Sequence, residues 1–179
     1  AATLGRDVDP ERRAEALGWA EARLRERDVS PAARAVCAVL LTSDDPTRAS
    51  VLADLEPLSA MPELPVWARA WLAIAWARRL DRVQDKRPVD AALDALILPT
   101  RPVPPGPSGL GTLTLTRASV LLALVHSRPD DPRIGPLVVE LVRERQAGAQ
   151  LGPFTSAVVE LALRRLSDRR TSLGPTLPV

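Results

Sequence analysis

Residues 126–141 read HSRPDDPRIGPLVVEL, and their centre is echoed at 42–55 in TSDDPTRASVLADL. In both places Asp-Asp-Pro precedes a run whose apolar residues recur every three or four positions, as Ile134, Leu137, Val138, Leu141 and Val142 do. That spacing lays one apolar stripe along a helix of about 3.6 residues per turn. Proline suits the first turn of a helix, where its fixed φ fits and its missing N–H has no intrahelical acceptor to lose. An aspartate just before it accepts from the orphan N–H groups and favours the positive end of the helix dipole. The echo therefore predicts two helix starts, at Asp45-Pro46 and at Pro132.

The same punctuation extends in both directions. Asp9-Pro10 opens a helix to about Arg27 with a stripe of Leu17, Ala20 and Leu24, and Ser30-Pro31 opens one carrying Val36, Val39 and Leu40. The Asp45-Pro46 helix turns Val51, Leu52 and Leu55 inward. PVWARAWLAIAWARRL follows, with Trp67 and Trp71 four apart and Ile74 and Ala75 continuing their face, then a shorter helix at about 88–98. Beyond residue 111 the expected helices run from Thr112 to Ser127, Pro132 to Ala147 and Pro153 to Asp168. Nowhere is there a sustained two-residue alternation of β-branched residues, so the fold is all-α: antiparallel helical hairpins forming part of an α/α toroid or an irregular α-solenoid. The expected organisation is one helical domain over 1–170 and an extended exit segment over 171–179.

The segment LPTRPVPPGPSGLG at 98–111 holds too many prolines and glycines for a helix or a strand, and reads as a long loop. Long loops are functional or they connect elements. Arg101, Pro104, Pro105 and Pro107 in it are the expected places of partner contact, the alternative being a passive connection.

Composition narrows the chemistry. The chain has 179 residues, enough to bury a core, with 24 basic and 22 acidic residues interspersed rather than segregated. No face is built to hold phosphates, only Phe154 and four tryptophans supply aromatic surface, and nucleic acid is not an expected partner. No apolar run reaches the roughly 20 residues that span a bilayer, and AATLGRDVDP lacks the apolar stretch of a signal peptide. Cys37, the single cysteine, allows no intrachain disulfide and lies in AVCAVLL, where cysteine packs as a small hydrophobe. His126, the single histidine, stands at a helix C-terminus, where its cationic form suits the dipole. There is no HExxH or GxSxG, and PPGPSGLG lacks the lysine of a phosphate loop. The aspartate pairs 44–45 and 130–131 read as caps with solvated neighbours, and Trp67, Trp71 and Trp76 as core. The expectation is a chain that is not an enzyme and holds no metal or cofactor, with a protein as its partner.

In sequence order, VDPERRAEALGWAEARLRE, SPAARAVCAVLLTSDDPTRASVLADL and LPVWARAWLAIAWARRL resemble later helices of the thioester domain of bacterial α-macroglobulins. The second half, TLTLTRASVLLALVHSRPDDPRIGPLVVELVRERQAGAQLGPFTSAVVELALRRL, is similar to that family's run of an alanine- and leucine-rich helix, a polar Asp-x-Pro turn, and a helix opened by serine or threonine. The family's final turn carries a tryptophan, and a glutamine directly after its Ser-Thr; here Gly148–Ser156 has no tryptophan and Thr155-Ser156 is followed by Ala157. The resemblance implies a non-catalytic portion of an α/α toroid in a large exported, periplasmic or secreted protease trap. No Cys-x-Glu-Gln occurs and Cys37 is followed by Ala38, Val39 and Leu40, so these residues form no such thioester: either the motif lies upstream, or the protein belongs to thioester-less relatives that trap without covalent capture. The rival reading of the same helices is a free-standing helical-repeat adaptor that binds a protein.

Overall fold

The computed structural model describes residues 9–26, 28–80, 87–98, 111–148 and 151–172. Among them are eight α-helices and no strand: α1 (Pro10–Arg25), α2 (Pro31–Asp44), α3 (Ala49–Ser59), α4 (Val66–Leu80), α5 (Arg87–Asp94), α6 (Leu113–Ser127), α7 (Ile134–Gln146) and α8 (Pro153–Ser172). The all-α expectation holds because each helix buries an apolar face that its spacing creates. The chain divides within α5 into two compact units, Ala1–Ala92 and Leu93–Val179.

In the first unit α2 is central and packs against α1, α3 and α4. Arg13, near the start of α1, pairs with Asp44 at the end of α2 at 3.0 Å. Arg34, in the first turn of α2, donates to the carbonyl oxygen of Leu24 at 2.9 Å and to that of Glu26 at 3.3 Å. The two helices therefore run antiparallel. Late in α4, Arg78 donates to the Val39 carbonyl at 2.7 Å, which sets α4 parallel to α2. Surrounded on three sides, α2 buries Ala35, Cys37, Ala38, Val39, Leu41 and Thr42, while the expected stripe residues Val36 and Leu40 are only half-buried. A helix wedged among three neighbours has no single inner face, so its small residues set how closely they approach. Trp67, Trp71 and Trp76 are core residues, and the Trp76 indole donates to Ser59 Oγ at 3.1 Å.

The second unit repeats this plan around α6, which packs against α7 and α8. Arg117 near the start of α6 pairs with Glu144 at the end of α7, so these helices are antiparallel. Arg169 in α8 donates to the His126 carbonyl at 3.2 Å, which makes α8 parallel to α6. Ten residues of α6, from Leu115 to Val125, are buried.

The helix starts at the two Asp-Asp-Pro sites differ from expectation in one respect. α3 begins at Ala49 and α7 at Ile134, two to three residues after the prolines, and neither Arg48 nor Arg133 at the N-cap supplies a side-chain cap. Asp45 instead accepts from the Thr47 N–H at 2.9 Å, and Asp131 from the Arg133 N–H at 3.0 Å. Each aspartate closes a turn on the residue two positions ahead, a contact its short side chain reaches more readily than an N–H of the following helix. True N-caps occur at Asp9, which accepts from the Glu11 N–H, at Ser30 and at Thr112. At the chain's far end α8 continues to Ser172, so 171–172 of the expected extended exit are helical; 173–179 lie outside the described residues.

One offset relates α2, α3 and α4 of the first unit to α6, α7 and α8 of the second. It carries Asp44-Asp45-Pro46 onto Asp130-Asp131-Pro132 and Arg78-Arg79-Leu80 onto Arg164-Arg165-Leu166 without a gap. It superposes buried positions as well: Ala38 on Leu124, Val39 on Val125, Val51 on Leu137, Leu55 on Leu141, Leu72 on Val158 and Trp76 on Ala162 are buried in both members. Two core leucines of the first unit become polar in the second, Leu41 matching Ser127 and Leu58 matching Glu144. Ser127 Oγ and Glu144 Oε2 are buried oxygen atoms without a hydrogen-bond partner.

Candidate interaction surface

The residues expected to meet a partner, Arg101, Pro104, Pro105 and Pro107, lie outside the described residues. Among the described residues of the second unit the structure forms a cleft of about 350 Å³, near the lower end of volumes typical of ligand sites. Leu98, Pro132, Pro136 and Leu137 give it an apolar lining, and Arg117, Arg133 and Glu140 stand at its polar edge.

Four parts of the chain assemble it. Leu98 follows the end of α5. Pro132 and Arg133 belong to the Asp-Asp-Pro turn, and Pro136, Leu137 and Glu140 face it from the first half of α7. Pro136 is tolerated there because the N–H groups of the first turn have no intrahelical acceptor. Arg117 reaches across from α6.

The charges around the cleft are held in place. The Arg133 guanidinium donates to Asp131 through Nε at 2.9 Å and Nη2 at 2.8 Å, and through Nη1 to the carbonyl oxygens of Leu93 and Leu96 at 3.2 and 3.4 Å. It thereby ties down the end of α5, where the Leu93 carbonyl also accepts from the Leu96 N–H at 3.2 Å. The Arg133 hydrogen bonds hold the Asp131 carboxyl below the usual carboxylate range, and the same bonds raise the Arg133 pKa. Arg128 pairs with Asp94 at 2.6 Å, which lowers the Asp94 pKa. Arg117 pairs closely with Glu144 and lies 3.8 Å from Glu140, whose other partner is Arg143 at 2.8 Å.

The other residues singled out by sequence are dispersed. Cys37 is buried in α2, and loss of hydration pushes its thiol pKa up, the opposite of an activated nucleophile. His126 lies in the last turn of α6. The two aspartate pairs belong to different units, and no group of three His, Cys, Asp or Glu side chains able to hold a metal ion occurs among the described residues. No described helix is long and apolar enough to cross a membrane. Arg117, Arg133, Glu140 and Glu144 carried no signal in the sequence, because charged residues on amphipathic helices read as solvated faces until the partner helix is placed.

Among the described residues the large apolar side chains left in water are Ile97 at 75% exposed, Val139 at 55%, Trp19 at 54% and Val142 at 38%, the last of which the sequence placed on the inward stripe. Arg23 stacks over the Trp19 ring at 5.7 Å, whereas Ile97 adjoins the cleft-lining Leu98 and Val139 adjoins Glu140. No family model matches the chain, and no curated protein or solved structure shows significant similarity to it.

Proposed function

We propose that the chain is a non-catalytic helical-repeat scaffold that works by binding another protein. The packing of α2 on α4 and of α6 on α8 supports this reading, since alternate helices stack in this way in an α-solenoid. The observation that carries the reading is the single offset relating α2–α4 to α6–α8, since repetition of a helix-pair unit is how such scaffolds build extended binding surfaces. Chemistry finds no comparable support: the titratable groups around the cleft are paired in structural contacts.

The α-macroglobulin-like reading shares the non-catalytic helical domain but needs an apolar face against neighbouring domains of a larger protein. The polar faces of α1 and α8 favour the adaptor. α1 exposes Glu11, Arg12 and Glu15, and α8 exposes Ser156, Glu160 and Arg164. The experiment is to isolate the protein from its native source, record the intact mass of its polypeptide, map its contacts by cross-linking mass spectrometry, and reconstitute the pair from purified components. A saturable complex with a separate protein is the expected result. A chain that occurs only within one larger polypeptide, cross-linked to that polypeptide's other domains, favours the macroglobulin-like reading. Turnover of a substrate by the purified chain would overturn both.

A further inference from the structure

α1 packs on its unit through one side and leaves the other in water. Ala20 and Leu24 are buried, and the ties to α2 and the start of α3 are the pairs Arg13–Asp44 and Glu21–Arg48 and the bonds from Arg34 to the Leu24 and Glu26 carbonyls. Trp19 stands away from these contacts and is 54% exposed. Tryptophan is among the residue types that anchor protein interfaces, because its large rigid ring removes much apolar area from water at little entropic cost.

The helix face around the ring is ordered about it. Residues three, four and seven positions away, before and after, share a face with a helical residue. Three positions from Trp19 stand Ala16 and Ala22, four positions away Glu15 and Arg23, and seven away Arg12 and Glu26; all six are exposed. Each position before the ring is thus matched after it by the same small residue or by the opposite charge. When two copies of α1 cross antiparallel at Trp19, a residue before one ring lies level with its match after the other. Glu15 then faces Arg23 of the partner subunit and Arg12 faces Glu26 of the partner subunit, and two-fold symmetry makes each pair occur twice. Parallel copies would instead set Glu15 level with Glu15 and Arg23 level with Arg23, which repel. Ala16 and Ala22 leave room beside the ring for the helix axes to approach to about 8–10 Å.

We propose that this face binds a second copy of the chain, in a two-fold dimer built by antiparallel packing of α1 on α1. The charges are already placed for it in the single chain, where Arg23 pairs with Glu26 at 2.5 Å and lies over the Trp19 ring at 5.7 Å. In the dimer Glu15 and Arg12 of the partner subunit extend that pair into a network. The stripe from Arg12 to Glu26 is about 21 Å long, and one helix pair covers less than the roughly 800 Å² per partner of a standard stable interface. The dimer is therefore weak and reversible, and its exposed ion pairs make it sensitive to salt.

Sedimentation equilibrium of the intact chain from about 1 to about 500 μM should show monomer and dimer in exchange, with a Kd on the order of 50 μM at low salt that weakens severalfold in about 0.5 M NaCl. Trp19→Ala should raise the Kd at least about tenfold. Two double variants test the charge pattern: Arg12→Glu with Arg23→Glu makes the face acidic, and Glu15→Arg with Glu26→Arg makes it basic. Each should sediment as a monomer by itself, and an equimolar mixture of the two should restore the dimer. All four positions are exposed, and melting curves check that the variants fold. Should either melt early, the single variants Arg12→Glu and Glu26→Arg are mixed in the same way. A chain that stays monomeric to about 500 μM overturns the proposal. So does a dimer that Trp19→Ala leaves intact, or one that the mixed acidic and basic variants fail to restore.

Discussion

Arg133 grips Asp131 three times, through its backbone N–H at 3.0 Å, Nε at 2.9 Å and Nη2 at 2.8 Å, while its remaining nitrogen reaches the carbonyls of Leu93 and Leu96. The aspartate side chain is 7% exposed. One turn thus joins the α6–α7 corner to the end of α5. Its counterpart at Asp45 is lighter, made to the N–H and hydroxyl of Thr47 at 2.9 and 2.7 Å. Asp131→Ala should cost about 2–3 kcal/mol, because it leaves a half-buried guanidinium without its partner. Asp45→Ala should cost about 1 kcal/mol, the value of an exposed turn contact. Urea unfolding of the two variants measures the difference, and equal losses would contradict this account.

Acid should weaken the second unit through the same contact. The Asp131 and Asp94 carboxyls are both held below their ordinary range by arginine hydrogen bonds. A lowered folded-state pKa contributes stability that is complete above the unfolded value, about 3.9, and is lost as pH falls through the folded one. Melting temperature should therefore be insensitive to these groups from pH 7 to 5 and fall below about pH 4. Asp131→Asn should start lower at neutral pH and fall less steeply, since it has no proton to gain. Asp94 is exposed, so Asp94→Asn should change the curve little.

Cys37 offers a kinetic probe of the first unit. It is 1% exposed and its thiol pKa is raised by burial. A thiol reagent at pH 8 should modify it only as fast as the unit opens, and immediately in denaturant. Rapid modification of the native chain would mean that α2 is not packed among α1, α3 and α4.

The matched core positions Leu55 and Leu141 should respond alike. Both are almost fully buried at the same place in the repeat, and truncation to alanine should cost about 2–5 kcal/mol in each. Ser127 should behave in the opposite sense. Its hydroxyl oxygen is buried without a partner where the first unit has Leu41, so Ser127→Ala should raise stability by up to about 1 kcal/mol in chemical denaturation.

Gly148 tests backbone strain apart from packing. Its φ is +71°, a left-handed conformation after the end of α7, and a β-carbon there would meet no atom within 4 Å. Gly148→Ala should still cost about 1–2 kcal/mol, all of it conformational. A neutral result by thermal melting would mean that the turn relaxes.

The eight helices were legible because they follow from local rules. Asp9, Ser30 and Thr112 cap the helices they precede, and apolar spacing identifies Ala20, Leu24, Leu137 and Leu141 as inward-facing. The partner-contact residues Arg101 to Pro107 were inferred from proline content alone, which marks a loop without saying what lies beside it. Arg117 and Glu144 are separated by much of two helices, and nothing in either segment announces their pairing. Likewise the Asp-Asp-Pro echo is visible as a pattern, but both aspartates turned out to close turns on Thr47 and Arg133 rather than to cap α3 and α7. Helix content depends on propensity and periodicity within about one turn of each residue, and the sequence determines it directly. Which helices become neighbours, and where a face stays uncovered, depends on contacts between residues far apart in the chain. The place of α1 along α2, and the cleft beside α7, were therefore decided only by tertiary packing.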